Sequence, residues 1–331
     1  MTAVAMMGSG SWGTAFAAVL ADAGCQVVLW GRDHIVADSI SHDHVNPVYH
    51  PDVILPESLR ATTDARIAMR GADVVVLAVP SQSLRANLQQ WTGFSEQGVT
   101  YVSLMKGIEL GTNDRMSQVI AEVTGAAPEN IAVVSGPNLA KEIIAHQPTA
   151  TTVASEAEAG ARFVSNLCTT DYFRPYWTTD VIGTEIGGAV KNVIALANGI
   201  AVGMGLGENS QASLITRGLA EIARLGTALG ADPITFLGLA GVGDLVATCQ
   251  SPLSRNRSFG ENLGKGLSVQ ETISVTKQTC EAYKSCEPIL QLANTCGVDM
   301  PITYEVVQVL HHGKPPAELL RSFMQRDTRA E

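Results

Sequence analysis

Apolar residues in the first half of the chain gather in short, nearly unbroken runs. Ala3–Met7, Gln26–Trp30 and Ala72–Val79 are three of them, and Tyr101–Met105, Ile131–Val134 and Thr151–Ala154 follow. The third run, A-D-V-V-V-L-A-V, is closed by Pro80. Runs of this length predict strands, and strands apolar on both faces suit a parallel sheet covered by helices on either side. Helical stretches lie between the runs, the clearest being Ser11–Ala23. Strand–helix alternation of this kind predicts a doubly wound α/β domain.

Beyond about Thr184 the strand pattern fades and long helical periodicities take over. They run over Glu185–Gly203, Ser210–Leu229, Thr235–Thr248, Val269–Thr276, Tyr283–Thr295 and Pro301–His311. The expectation is two domains, residues 1–184 and residues 185–331, the second all-α. Length agrees, because 331 residues exceed the roughly 250–300 at which a single core stops growing. The tail after Ser322 is expected to fray. The apolar run nearest to a membrane span, Val193–Met204, contains Asn198 and Gly199 and falls short of the ~20 residues needed. The N-terminus lacks a basic stretch ahead of its apolar run, which Gly8, Gly10 and Gly13 interrupt, so no signal peptide is expected.

Composition changes this picture little. Hydrophobic residues make up 46% of the chain and charged residues 16%, enough for a large core. The net charge of −10 argues against a nucleic-acid or anionic-membrane partner, which clustered Lys and Arg would hold. A small phosphate ligand needs only a few local cations and stays open. The six cysteines (Cys25, Cys168, Cys249, Cys280, Cys286 and Cys296) form no C-x-x-C pair. They read as free thiols of a reducing cytoplasm, and no metal site is expected.

Candidate chemistry begins at Gly8-Ser9-Gly10-Ser11-Trp12-Gly13, a G-x-G-x-x-G. It follows a predicted strand, opens a predicted helix, and precedes a second strand ending near Trp30. In that setting it reads as a dinucleotide-binding, Rossmann-like turn. Gly8 permits the tight turn, Gly10 lets the backbone approach a diphosphate, and Gly13 allows close helix–sheet packing. The helix start adds free N–H groups and partial positive charge. After the second strand comes Gly31-Arg32-Asp33. A guanidinium there suits the 2′-phosphate of NADP, whereas an acidic residue suits NAD. Arg32 therefore favours NADP, with NAD tolerated because Asp33 stands beside it.

Three further segments carry polar groups suited to a substrate. Lys106 follows one predicted strand, and Ser135-Gly136-Pro137-Asn138 follows another; strand C-termini in such sheets face the ligand crevice. Lys191 lies in the otherwise uncharged run 187–198, sharing a stripe with Gly187, Ala195 and Asn198. The small residues are expected to open space beside the lysine for a ligand. Burial and neighbouring cations lower a lysine's pKa, which suits a proton shuttle. Asp244 closes a glycine-rich turn, where it can orient Lys191 or accept a substrate hydroxyl. Ser254, Arg255 and Asn256 offer adjacent donors to a phosphate.

Taken together, these segments resemble the soluble NAD(P)-dependent sn-glycerol-3-phosphate dehydrogenase family over nearly the whole chain. The matching pieces are G-S-G-S-W-G-T-A (8–15), L-W-G-R (29–32), N-P-V-Y-H-P-D-V-I-L-P (46–56), K-G-I-E (106–109), S-G-P-N-L-A-K-E (135–142), G-A-V-K-N-V-I-A-L-A-N-G-I (188–200) and G-D-L-V-A-T-C-Q-S-P-L-S-R-N (243–256). The resemblance implies reversible reduction of dihydroxyacetone phosphate to sn-glycerol 3-phosphate, the precursor of glycerophospholipids. It implies that Ser11, Trp12, Arg32, Tyr49, Lys106, Ala140, Arg255, Thr279 and Glu281 contact the cofactor. It gives Lys106, Gly136, Asn138, Lys191, Asp244, Ser254, Arg255 and Asn256 to the substrate, with Lys191 as proton donor and acceptor. Asn138 departs from the family's usual Ser or Thr, and Thr279 from an aliphatic residue. A homodimer in the cytoplasm is the family expectation. Two rivals remain at this point: a dehydrogenase of the same plan acting on a hydroxy acid or sugar nucleotide, and a catalytically silent NADPH sensor.

Overall fold

The structure is a computed structural model that describes residues 1–276 and 280–319. Two compact units make it up: Met1–Lys106 with Asp114–Glu185, and Gly107–Asn113 with the chain from Ile186 onward.

The first unit is built on an eight-stranded sheet. Its strands are β1 (Ala3–Met7), β2 (Gln26–Trp30), β3 (Arg60–Thr62), β4 (Val74–Leu77), β5 (Thr100–Ser103), β6 (Ile131–Ser135), β7 (Thr149–Ser155) and β8 (Phe173–Thr178). They lie in the order β3-β2-β1-β4-β5-β6-β7-β8. Neighbours are parallel throughout except β6 and β7. The 3-2-1-4-5-6 portion is the doubly wound order, and it places a topological switch between β1 and β4. The accompanying helices are α1 (Ser11–Asp22), α2 (His34–His42), α3 (Ala65–Met69), α4 (Leu84–Trp91), α5 (Met116–Thr124), α6 (Ala140–Ile143) and α7 (Glu158–Leu167).

Strand periodicity sorts two cores onto the two sheet faces. Val4, Met6, Val74 and Val76 pack with Phe16 and Leu20 of α1. Their alternates Ala5, Met7, Val75 and Leu77 pack with Leu84, Leu88 and Trp91 of α4 and Val119 of α5. Apolar residues at every position of β1 and β4 are what a sheet buried on both faces requires. Two strands escaped the sequence reading. β3 has only three residues. β8, F-R-P-Y-W-T, contains Pro175, which an edge strand accommodates because its outer side needs no N–H donor.

Helix α8 (Val181–Gly203) begins in the last residues of the first unit and continues into the second. Its second turn holds Glu185, whose carboxylate accepts from Ser117 N at 2.8 Å and Ser117 Oγ at 2.6 Å and pairs with Arg115. An otherwise unsatisfied end of α5 is capped in this way from another element. At 23 residues α8 is longer than the apolar run Val193–Met204, because it begins at Val181, four residues ahead of the expected helix start. It is long and apolar enough to cross a membrane, yet 89% of its apolar window is buried inside the protein, as in a core helix.

The remaining helices are α9 (Glu208–Ala228), α10 (Asp244–Gln250), α11 (Arg255–Gly264), α12 (Val269–Val275), α13 (Glu281–Thr295) and α14 (Pro301–His311). One expected helix, Thr235–Thr248, is broken. The chain makes a 3₁₀ turn over Pro233–Leu237 and a π turn over Leu239–Gly243, and becomes α-helical only from Asp244. Gly241 packs so tightly on Phe236 that a Cβ there would lie 2.2 Å from the Phe236 carbonyl oxygen. Helix α11 is not among the helices expected from the sequence; it is polar and holds two glycines. Those glycines seat it against α8: a Cβ on Gly260 would lie 2.0 Å from Leu196 O, and one on Gly199 2.0 Å from Arg257 O. Backbone contact of that closeness outweighs poor helix propensity.

Glu221 of α9 caps α14. Its buried carboxylate accepts from Ile302 N at 2.6 Å, Thr303 N at 3.2 Å and Thr303 Oγ1 at 3.1 Å. Burial nevertheless pushes its pKa from 4.5 up to about 7. The folded chain therefore holds this proton more tightly than the unfolded chain. The associated stability is fully present below pH 4.5 and is lost as pH rises through about 7. Wild type should lose roughly 3 kcal/mol relative to Glu221→Gln between those limits. Urea titrations of both proteins at pH 5 and pH 8 test this; parallel changes in the two would contradict it.

Candidate active site

In the first unit, all the turns of interest leave the same, carboxyl edge of parallel strands. The glycine turn follows β1. Gly8 has φ +136°, and a Cβ there would lie 2.5 Å from Ala78 O, so only glycine fits. A Cβ on Gly13 would lie 2.1 Å from Gly8 O, whereas one on Gly10 would meet nothing within 4 Å. Packing thus explains the outer two glycines, and open space borders the middle one. No side chain caps the start of α1. The indole Nε1 of Trp12 is buried without a partner. An uncapped helix start beside open space fits a diphosphate.

At the end of β2, Arg32 and Asp33 are both exposed. Asp33 serves as N-cap of α2, its Oδ1 accepting from Ile35 N at 2.9 Å. Its carboxylate is thereby engaged locally. After β5, Lys106 Nζ donates to Gly136 O at 2.9 Å, which joins two residues read separately in sequence. Gly136, after β6, has φ +134° and packs on Thr151. Both amide atoms of Asn138 are buried without a partner, a costly arrangement that a polar ligand would relieve. Ala140 opens α6, and Tyr49 is half-buried.

In the second unit, Lys191 lies in the middle of α8 and is only 6% exposed. Its Nζ donates to Asp244 Oδ1 at 2.7 Å and to Thr248 Oγ1 at 2.6 Å. Asp244, 1% exposed, is the first residue of α10, directly after the π turn, and Thr248 follows one helical turn later. Two of the three ammonium hydrogens are thus committed, at fixed directions. The carboxylate partner is Asp244, one of whose two expected roles was to orient Lys191; the neighbouring cations invoked to lower the lysine's pKa are not what these two bonds supply. The small-residue stripe has another use too. A Cβ on Gly187 would lie 2.3 Å from Ala240 O, so at that position the stripe admits protein backbone.

Ser254 caps α11, accepting from Arg257 N at 3.3 Å. Arg255, exposed, is the first residue of that helix. Asn256 is buried; its Nδ2 donates to Asn192 Oδ1 at 2.9 Å and its Oδ1 accepts from Ala282 N at 3.1 Å. Sequence reading placed these three together as donors; the structure places them on the first turn of a helix, whose N–H groups add to the side chains. Glu281 opens α13. Thr279 lies outside the described residues. Cys249 and Cys280 sit near this cluster, and burial pushes both thiols up to about 12, so neither is a nucleophile at neutral pH.

Sequence reasoning missed Thr248, Asn192, Asn46 and His50. Thr248 had a signal, the i, i+4 spacing from Asp244, and Asn192 adjoins Lys191. Asn46 and His50 had only their place in a quoted segment.

Two family descriptions match the chain: "NAD-dependent glycerol-3-phosphate dehydrogenase N-terminus" over residues 3–161 and the corresponding C-terminus over residues 180–321. A glycerol-3-phosphate dehydrogenase (NAD(P)+) of Streptomyces griseus is 60% identical over 327 residues, covering 99% of this chain and 97% of its own. That of Thermobifida fusca is 58% identical, covering 100% and 99%. The crystal structure of glycerol-3-phosphate dehydrogenase from Coxiella burnetii superposes with a TM-score of 0.93 at 35% identity, covering 98% of each chain.

Proposed function

This chain belongs to the NAD-dependent glycerol-3-phosphate dehydrogenase family, and from that premise we propose how its own residues carry out the reaction. It is an oxidoreductase that reduces dihydroxyacetone phosphate to sn-glycerol 3-phosphate with NAD(P)H, reversibly. The product feeds glycerophospholipid synthesis, in the cytoplasm and from a homodimer, as is usual for the family. Met1–Lys106 with Asp114–Glu185 form the cofactor domain, and Gly107–Asn113 with the chain from Ile186 onward the substrate domain.

The nicotinamide supplies the hydride, so the protein's tasks are binding, orientation and proton supply. Gly8, Gly10, Ser11, Trp12 and Gly13 receive the diphosphate, with Tyr49, Ala140, Thr279 and Glu281 completing the cofactor contacts. Arg32 meets the 2′-phosphate of NADPH. Supporting this preference, the carboxylate of Asp33 is engaged at a helix start, so the guanidinium faces no local neutralising partner from its neighbour.

Lys191 is the general acid. Its Nζ–H protonates the C2 oxygen as hydride arrives at C2, and in the reverse direction Nζ takes that proton back. The observation that carries this assignment is the fixed ammonium, held by Asp244 and Thr248 with one hydrogen left over. Lys106 adds positive charge where the alkoxide develops. Gly136 and Asn138 bind the substrate's polar groups, as the orphaned Asn138 amide supports. Ser254, Arg255 and Asn256, with the first turn of α11, hold the phosphate. Binding energy from that remote group then positions the carbonyl.

The test follows NADPH absorbance on addition of dihydroxyacetone phosphate or of unphosphorylated dihydroxyacetone. Oxidation with the first, and a kcat/KM at least about a hundredfold lower with the second, is expected from loss of charge-assisted contacts. Equal kcat/KM for the two would remove the phosphate anchor and favour a hydroxy-acid-type dehydrogenase.

A further inference from the structure

The two carbonyls that flank Gly10 are both held by one strap, residues 46–50. Asn46, fully buried, donates through Nδ2 to Ser9 O at 3.1 Å and to Thr14 Oγ1 at 2.8 Å. His50, also buried, donates through Nε2 to Ser11 O at 2.9 Å, with Ser11 Oγ 3.3 Å from the same nitrogen. The strap is itself closed. Asn46 Oδ1 accepts from the N–H groups of Val48 and Tyr49, both at 3.2 Å, and His50 N donates to Asn46 O at 2.9 Å.

A trans peptide points its C=O and the following N–H in opposite directions. Pinning Ser9 O and Ser11 O towards the strap therefore turns the N–H groups of Gly10 and Trp12 away from it. No acceptor among the described residues takes a hydrogen bond from either N–H. A glycine turn left alone has many conformations, and ordering it on binding costs affinity. We propose that Asn46 and His50 are positioning residues that preset the glycine turn for the cofactor's diphosphate, with Tyr49 carried on the same strap. Burial lowers the His50 pKa, which keeps the ring neutral and its Nε2–H directed at a carbonyl and not opposed to a second cation, Lys141.

This inference rests on the reading that the turn holds an NAD(P) diphosphate, and it makes a claim that Arg32 does not. The diphosphate is common to NADPH, NADH and ADP-ribose, so loss of the strap must weaken all three alike. Arg32→Ala should instead weaken NADPH more than NADH.

Isothermal titration calorimetry of the full chain with ADP-ribose, NADPH and NADH tests it. Asn46→Ala and His50→Leu should each raise Kd about tenfold for every ligand, the size expected when a buried carbonyl loses its partner. His50→Gln, which keeps an N–H donor, should recover most of that loss. kcat at saturating NADPH should change less than twofold while KM rises. Tyr172→Phe is the stability control: it removes the 2.6 Å hydrogen bond to Asp22 at the other end of α1 and should leave every Kd unchanged. Unchanged Kd in both strap variants would overturn the inference, as would an equal loss in Tyr172→Phe. Failure of the wild type to bind ADP-ribose or NADPH is a different result, and it would overturn the reading of the turn itself.

Discussion

Lys191→Met lowers kcat by ~10²–10⁴, the range typical for loss of a general acid. The methionine keeps an apolar stem and deletes the ammonium. Because protonation assists the transition state, the loss appears in kcat and not only in KM. NADPH affinity should hold, since the glycine turn lies on other elements. The fold does not escape untouched. Asp244 is 1% exposed and pairs with Lys191 Nζ at 2.7 Å. Deleting the ammonium takes this ion-pair partner from a buried carboxylate, at a cost of about 3–5 kcal/mol. Single-turnover rates must therefore be read well below the variant's Tm. A single-turnover rate equal to wild type would move the proton donor elsewhere, with Lys106 the next candidate.

Asp244→Ala makes the reciprocal error and should destabilise by a similar amount, about 3–5 kcal/mol, because it strands the lysine. It also frees Nζ to swing, and a misplacement of about 1 Å at a reacting group costs on the order of 10² in rate. The double variant Lys191→Met, Asp244→Ala separates folding from chemistry. With both charges gone, most of the lost stability returns, while activity stays at the Lys191→Met level. Such a double-mutant cycle should show coupling of roughly 3 kcal/mol in stability. Additive losses would mean that the two residues do not act as a pair. Urea unfolding beside stopped-flow turnover gives both readouts.

The sheet was legible because strands buried on both faces leave unbroken apolar runs: β1, β2, β4, β5, β6 and β7 each lie within or beside a predicted run. The glycine turn was legible for the same reason that it is rigid, since Gly8 and Gly13 meet backbone where no side chain fits. β8 was hidden by Pro175, which matters only if the strand's outer edge must donate. Helix α11 was hidden because its stability comes from interlocking glycines on α8, a contact between residues more than fifty positions apart in sequence. The break at Gly238–Gly243 was missed because periodicity does not reveal that Gly241 packs on the backbone of Phe236. At the site, residue types were visible, and of their partners only Asp244 for Lys191 was named. Lys191 stood out as a charge in an apolar helix, but the role of Thr248 depends on α10 folding back along α8. Asn46 and His50 carried no chemical signature in sequence, since their work is done on the backbone of another segment.

The central claim is that hydride passes from the nicotinamide to C2 of a phosphate-anchored ketone. Incubation with dihydroxyacetone phosphate and NADPH deuterated at the transferring C4 position tests it most directly, with the product read by mass spectrometry and NMR. One deuterium at C2 of sn-glycerol 3-phosphate is the predicted result. Glycerol phosphate without deuterium at C2, or oxidised cofactor without glycerol phosphate, would contradict it.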